Sequence, residues 1–174
     1  VAPTFGANPG PVATTAGVAV AFTVSASGSP TPTLALSSQT ASGGYSFNAG
    51  TGELTYTPPQ ADAGTQMFTF SASNSQGVVY QTVTAAVTAA TLPAFTSGSA
   101  YATTTGVQVA FTVTASGPPA PVLALTGETA AGAYSFTPAT GAFTYTPVYA
   151  DIGVQTFTFT ASNAAGVRTQ AVSV

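Results

Sequence analysis

Two tandem all-β domains, each a sandwich of about seven strands, are predicted by three observations. The second half of the chain repeats the first, apolar residues alternate with small polar ones in short runs, and Gly, Pro and Asn punctuate those runs at close intervals. Displacing the chain by about 89 residues superimposes Gly17-Val18 on Gly106-Val107 and Ala21-Phe22-Thr23-Val24 on Ala110-Phe111-Thr112-Val113. Downstream, Tyr45-Ser46-Phe47 meets Tyr134-Ser135-Phe136, and Phe68-Thr69-Phe70 meets Phe157-Thr158-Phe159. About 60% of the positions from Val12 to Ala85 are identical to their counterparts, so the structural unit is a domain of roughly 85 to 90 residues. The domains are read as 1–89 and 90–174. Their boundary falls in Ala89-Ala90-Thr91-Leu92-Pro93, where Pro93 keeps the residue before it out of the helical region.

Within the first repeat, edge segments are expected near Phe5 and at 12–15, followed by strands at 17–27, 33–37, 45–48, 53–57, 66–73 and 78–87. The 17–27 run places Val18, Val20, Phe22 and Val24 on one face, and Val107, Val109, Phe111 and Val113 repeat the pattern, which is the period-2 mark of a half-buried strand. Gly28-Ser29-Pro30, Ser42-Gly43-Gly44, Gly50-Thr51-Gly52, Pro58-Pro59 and Asn74-Ser75-Gln76-Gly77 supply the turns between strands. No stretch has the length and period of a helix. About seven short strands at this spacing, in under 90 residues, is the pattern of an immunoglobulin-like Greek-key β-sandwich.

The phrase Gly52-Glu53-Leu54-Thr55-Tyr56-Thr57-Pro58, then Ala61-Asp62-Ala63-Gly64, then Phe68 to Asn74 and Gly77, recurs at Thr140-Gly141, Thr146-Pro147, Asp151-Ile152-Gly153, Phe157 to Asn163 and Gly166. It resembles bacterial putative-Ig and cadherin-like surface repeats over about half of each module. The resemblance implies tandem immunoglobulin-like domains in an extracellular or cell-surface setting.

Composition excludes several functions. Charged residues are 3% of the chain, against about 25% in an ordinary soluble protein, with one basic residue, four acidic ones and no His. Phosphates and anionic lipids are held by clustered Lys and Arg, and Arg168 stands alone, so neither nucleic acid nor membrane is an expected partner. Without Cys or His there is no zinc site, and without His or Lys no Ser or Thr hydroxyl has a base to activate it. Calcium needs about six to eight oxygen ligands, but each module has two acids, Glu53 with Asp62 and Glu128 with Asp151. No enzyme activity, cofactor or metal is expected.

Asp62 and Asp151 occupy equivalent positions in successive domains, so they are not expected to meet as a catalytic pair. The expected role of Asp62, Gly64, Asp151 and Gly153 is structural: each Asp accepts hydrogen bonds from backbone N–H groups in the turn before the aromatic strand. Tyr45 and Tyr134 are the candidate glycan contacts, because a ring face can stack on sugar while its hydroxyl bonds outward. Their period-2 placement favours packing instead.

High identity between the modules indicates that repetition is the product. A nearly uncharged surface indicates that the chain is covered by neighbours or by glycans, and Ser and Thr, more than a quarter of the residues, supply acceptors for O-glycosylation. Uncharged edge strands are templates for β-strand addition by copies of the chain or by adjacent immunoglobulin-like domains. The expected function is a non-catalytic structural segment or protomer of an extracellular bacterial surface fibre or filament built from tandem immunoglobulin-like domains. The alternative is an adhesin or carbohydrate-binding tandem.

Overall fold

The computed structural model describes Val1 to Val174, which divide into two compact units, Val1–Ala90 and Thr91–Val174. The boundary lies one residue beyond that expected from 1–89 and 90–174, and the reason is local. The Gln60 side chain accepts the Ala90 N–H at 2.9 Å and donates to the Ala90 carbonyl at 3.1 Å, tying that residue to the first unit.

The first unit contains β1 (Thr4–Phe5), β2 (Val12–Thr15), β3 (Val20–Thr23), β4 (Ala26–Ser27), β5 (Thr33–Gln39), β6 (Tyr45–Asn48), β7 (Glu53–Tyr56), β8 (Gly64–Asn74) and β9 (Gly77–Thr88). One sheet has the order β2-β9-β8-β5; the other is β3-β7-β6, with β1 paired to β4 beyond it. β2 runs parallel to β9, and the remaining pairs are antiparallel. The second unit contains β10 (Ala94–Phe95), β11 (Val109–Thr112), β12 (Ala115–Ser116), β13 (Val122–Glu128), β14 (Ala133–Thr137), β15 (Ala142–Thr146), β16 (Thr156–Asn163) and β17 (Gly166–Ser173). Its sheets are β13-β16-β17, β11-β15-β14 and the pair β10-β12. A parallel bridge joins Ala100 to Ser173.

Alternation along the strands sends one set of side chains into each core. β8 buries Phe68, Phe70 and Ala72 while Thr69, Ser71 and Ser73 are more exposed, and β7 buries Leu54 and Tyr56. Phe68 lies 5.1 Å from Tyr56 and 6.2 Å from Phe22 between ring centroids, in edge-on contacts that suit the quadrupoles of the rings. In the second unit Phe157 takes that place, 4.7 Å from Phe143 and 4.9 Å from Tyr145.

The 17–27 strand differs from its expected form. Val18 and Val107 are 42% and 56% exposed and do not join Phe22 or Phe111 on the inward face. The Val18 N–H donates to Thr15 O and the Thr14 hydroxyl donates to Val18 O, which closes a turn and delays the strand to Val20. The run is also split at Val24-Ser25, where it leaves β7 as its partner and takes up β1. Gly52 makes the preceding hairpin turn with φ +74, and a Cβ there would lie 2.0 Å from the Val24 carbonyl oxygen, so both conformation and space require glycine.

Candidate functional site

Each unit buries one charged residue, Asp62 in the first and Asp151 in the second, at 3% and 5% exposure. The local sequence builds the same corner twice. Thr57-Pro58 and Thr146-Pro147 lead out of the strand, and a single 3-10 turn follows at Gln60–Asp62 and Tyr149–Asp151, closed by Asp62 N–H to Pro59 O and Asp151 N–H to Val148 O. Gly64 and Gly153 then reverse the chain with φ +116. A Cβ at either would meet nothing within 4 Å, so it is the backbone conformation that demands glycine.

The Asp62 carboxylate accepts the Ser42 N–H on both oxygens, at 2.9 and 3.1 Å, and the Tyr56 hydroxyl at 2.7 Å. Asp151 accepts N–H groups from Ala131 at 2.7 Å, Gly132 at 2.9 Å and Val148 at 3.0 Å. The main donors therefore come from a loop about twenty residues upstream, where donors in the Asp's own turn are expected from sequence. Val148 is the local exception, and its counterpart Pro59 has no N–H to give.

Two identical bridges flank the corner. The Thr40 hydroxyl donates to Gln66 Oε1 at 2.7 Å while Gln66 Nε2 donates to the Asp62 carbonyl, and Thr129, Gln155 and Asp151 repeat this. Sequence reasoning missed these pairs. The available signal was that Thr40, Gln66 and their counterparts are the same in both repeats although neighbours such as Met67 and Thr156 differ.

Electrostatics follow from these contacts. Burial pushes the Asp62 carboxyl up, but Ser42, through its side chain and N–H, and the Tyr56 hydroxyl outweigh it and hold the group below the ordinary carboxylate value. The Ala131 and Val148 N–H groups hold Asp151 down against burial, with Tyr145 and Gly132 acting in the same direction. Burial first, then the bonded Asp62, raises the Tyr56 phenol far above its usual value. Burial pushes Tyr145 up to about 12, and the neighbouring Asp151 carboxylate adds to the rise.

A pH dependence follows. The contribution of the depressed aspartates is present above about pH 4, the unfolded carboxylate value, and is lost as pH falls through the lower folded values. That of the raised tyrosines is present below about pH 10 and is lost as pH rises beyond it. With no His, Lys or Cys in the chain, urea unfolding is expected to give a flat stability between about pH 5 and 9 that falls at both ends. A steep slope through neutrality would contradict this assignment.

Tyr45 and Tyr134 lie on β6 and β14. The Tyr45 ring packs edge-on against Phe68 at 5.8 Å, and its hydroxyl accepts Gln39 Nε2 at 2.7 Å. Tyr134 is 40% exposed, packs on Phe157 at 5.7 Å, and has its phenol raised mainly by the Glu128 carboxylate beside it. No group of three or more carboxylates comes together, and no helix is long and apolar enough to cross a membrane.

Neither a protein-family model nor a curated protein matches the chain. Solved structures do. Sidekick-1 immunoglobulin domains 1-5 superpose with a TM-score of 0.57 at 21% identity, covering 98% of this chain and 38% of that one. Both units have the immunoglobulin fold. The chain thus spans well under half the length of the Sidekick-1 structure, and at this identity the likeness is one of fold alone. Other immunoglobulin tandems align more loosely. Drosophila OTK extracellular domains 3-5 give a TM-score of 0.42 at 20% identity over 98% of this chain and 60% of that one. The titin domains z1z2 in complex with telethonin give 0.42 at 22% over 99% and 95%.

Proposed function

We propose that the chain is a non-catalytic structural module of an extracellular surface fibre, working through repetition of one immunoglobulin domain. The observation that carries this reading is the duplicated corner. The one buried charge of each domain has its oxygens occupied by N–H and O–H groups of that same domain, which leaves the carboxylate to hold loops together. The remaining acids, Glu53 and Glu128, stand on separate strands with no base beside them. A surface with so little charge also favours association with neighbours.

Electron microscopy of the native material tests the proposal. Regular filaments with a repeat of one or two domains are expected; dispersed monomers at high concentration would overturn it. The exposed edge of Tyr134 beside Glu128 favours one second reading, recognition of a glycan. Selective binding on a glycan array, lost when Tyr45 and Tyr134 are replaced by Ala, would shift the assignment to it.

A further inference from the structure

Every large apolar side chain that the first domain exposes along its strands leaves the same face of the same sheet. Met67 of β8 and Val78 and Tyr80 of β9 are 45%, 50% and 63% exposed. Met67 alternates with the buried Phe68, while Val78 and Tyr80 stand opposite Ser73 and Ser71 on the side of the β2-β9-β8-β5 sheet that faces away from the core. In the second domain the positions of Met67 and Tyr80 hold Thr156 and Thr169. The outward side chains of the first domain's sheet are Ser, Thr, Ala, Val, one Met and one Tyr, and none is charged.

Three features fit this face to an equally flat and uncharged one. The first is its relief. Ser71 pairs with Tyr80 on one side and with Ala35 of β5 on the other, so a projecting ring and a hollow lie in one row, and the row of Thr33, Ser73 and Val78 is likewise taller on β9 than on β5. The second is a low cost of drying: without charge nothing repels a like face, and the Thr69 and Thr82 hydroxyls already bond to each other at 3.0 Å. A sugar or other small ligand would instead need a concave site with convergent polar groups, and the outward strand positions supply no carboxylate, amide or guanidinium. The third is size. β8 is 11 residues long in a four-stranded sheet. At about 3.4 Å per residue and about 4.8 Å per strand, less the shorter β2 and β5, two such faces cover about 1,000–1,200 Å² between them, the lower end of what a specific interface needs.

We propose that the outward face of β2-β9-β8-β5 is an isologous interface between two copies of the chain, packed sheet on sheet about a twofold axis that runs along β8. Rotation about that axis keeps each row level and carries β9 of one copy over β5 of the other. Tyr80 then covers Ala35 of the second copy, Val78 covers its Thr33, and Met67 meets its own equivalent at the axis. Large side chains thus face small ones across the gap of about 10 Å between stacked sheets. Tyr80 is the anchor, a rigid ring that loses its remaining water only when the copies meet. The inference rests on the fibre reading in taking neighbouring copies as the partners, and it names the surface by which they meet.

The test is sedimentation of the whole chain over a range of concentrations, with single-cysteine variants for cross-linking, since the chain has no Cys of its own. A monomer–dimer equilibrium is expected, weakened about 30-fold by Tyr80→Ala, as for an interface anchor, and unchanged by Thr169→Ala at the equivalent position of the second domain. Val78→Lys, which puts a charge into the seam, should abolish the pair and serves as the test if Tyr80→Ala does not fold. A bismaleimide spanning about 10 Å should join Met67→Cys chains rapidly and Thr55→Cys chains, on the outward face of the other sheet, only slowly. A chain that stays monomeric at millimolar concentration would overturn the proposal, as would a pair that survives both Tyr80→Ala and Val78→Lys, or equal cross-linking at Met67→Cys and Thr55→Cys. The same holds if Tyr80 responds to an oligosaccharide and not to chain concentration. Filaments that form unchanged with Val78→Lys would sink this proposal alone, and pairs that never grow into filaments would sink the fibre reading alone.

Discussion

Asp62→Ala is expected to lower the stability of the first domain by about 2–4 kcal/mol while leaving the second unchanged. The substitution strands the buried Tyr56 hydroxyl and takes the acceptor from the part-buried Ser42 N–H, and an unsatisfied buried donor costs about 1–3 kcal/mol. In a domain of this size the loss corresponds to a fall in Tm of roughly 10–25 °C. Calorimetry would then resolve two transitions, with only the earlier one moved by the mutation. Tyr56→Phe removes one donor without leaving the carboxylate bare, because Ser42 still holds it, so it should cost much less. The double variant should cost less than the sum, as expected for partners in one network. Equal effects on both transitions would show that the corner is not local to its domain.

Phe157→Ala is expected to be the most damaging single change in the second domain, at about 3–5 kcal/mol. Phe157 is fully buried and meets Phe143, Tyr145 and Tyr134 through edge-on contacts, and these rings are anchored in the facing β15 and β14. Removing it opens a cavity that the sheets cannot close without losing their register. A domain of under 100 residues has about 5–15 kcal/mol in total, so urea unfolding should move sharply to lower concentration. Phe157→Leu, which restores most of the volume, should recover much of the loss. A cost under about 1 kcal/mol for the Ala variant would mean that the core is looser than its packing implies.

The fold was legible because its signals are local. Alternation in Phe68-Thr69-Phe70 marks a strand, Asn74 and Asn163 mark the following hairpin, and their side-chain oxygens do accept Gln76 N–H and Ala165 N–H at 2.9 Å. The corner was legible only in part. Asp62 and Gly64 stood out in sequence, but its donor Ser42 lies on a different loop, and nothing near Ser42 announces that its N–H faces a carboxylate. Val18 misled because a β-branched residue in phase with Val20 and Phe22 reads as strand, while the Thr14 hydroxyl captures its carbonyl into a turn.

The parallel pairing of β2 with β9 has a mechanical meaning. Tension applied between the beginning and the end of the first domain pulls these two strands in opposite directions along their length, so the bonds from Val12–Ala85 to Thr15–Thr88 are loaded together in shear. An antiparallel hairpin pulled from its open end would instead peel one bond at a time. Under load that seam gives way as a unit, so the first domain is built as a clamp.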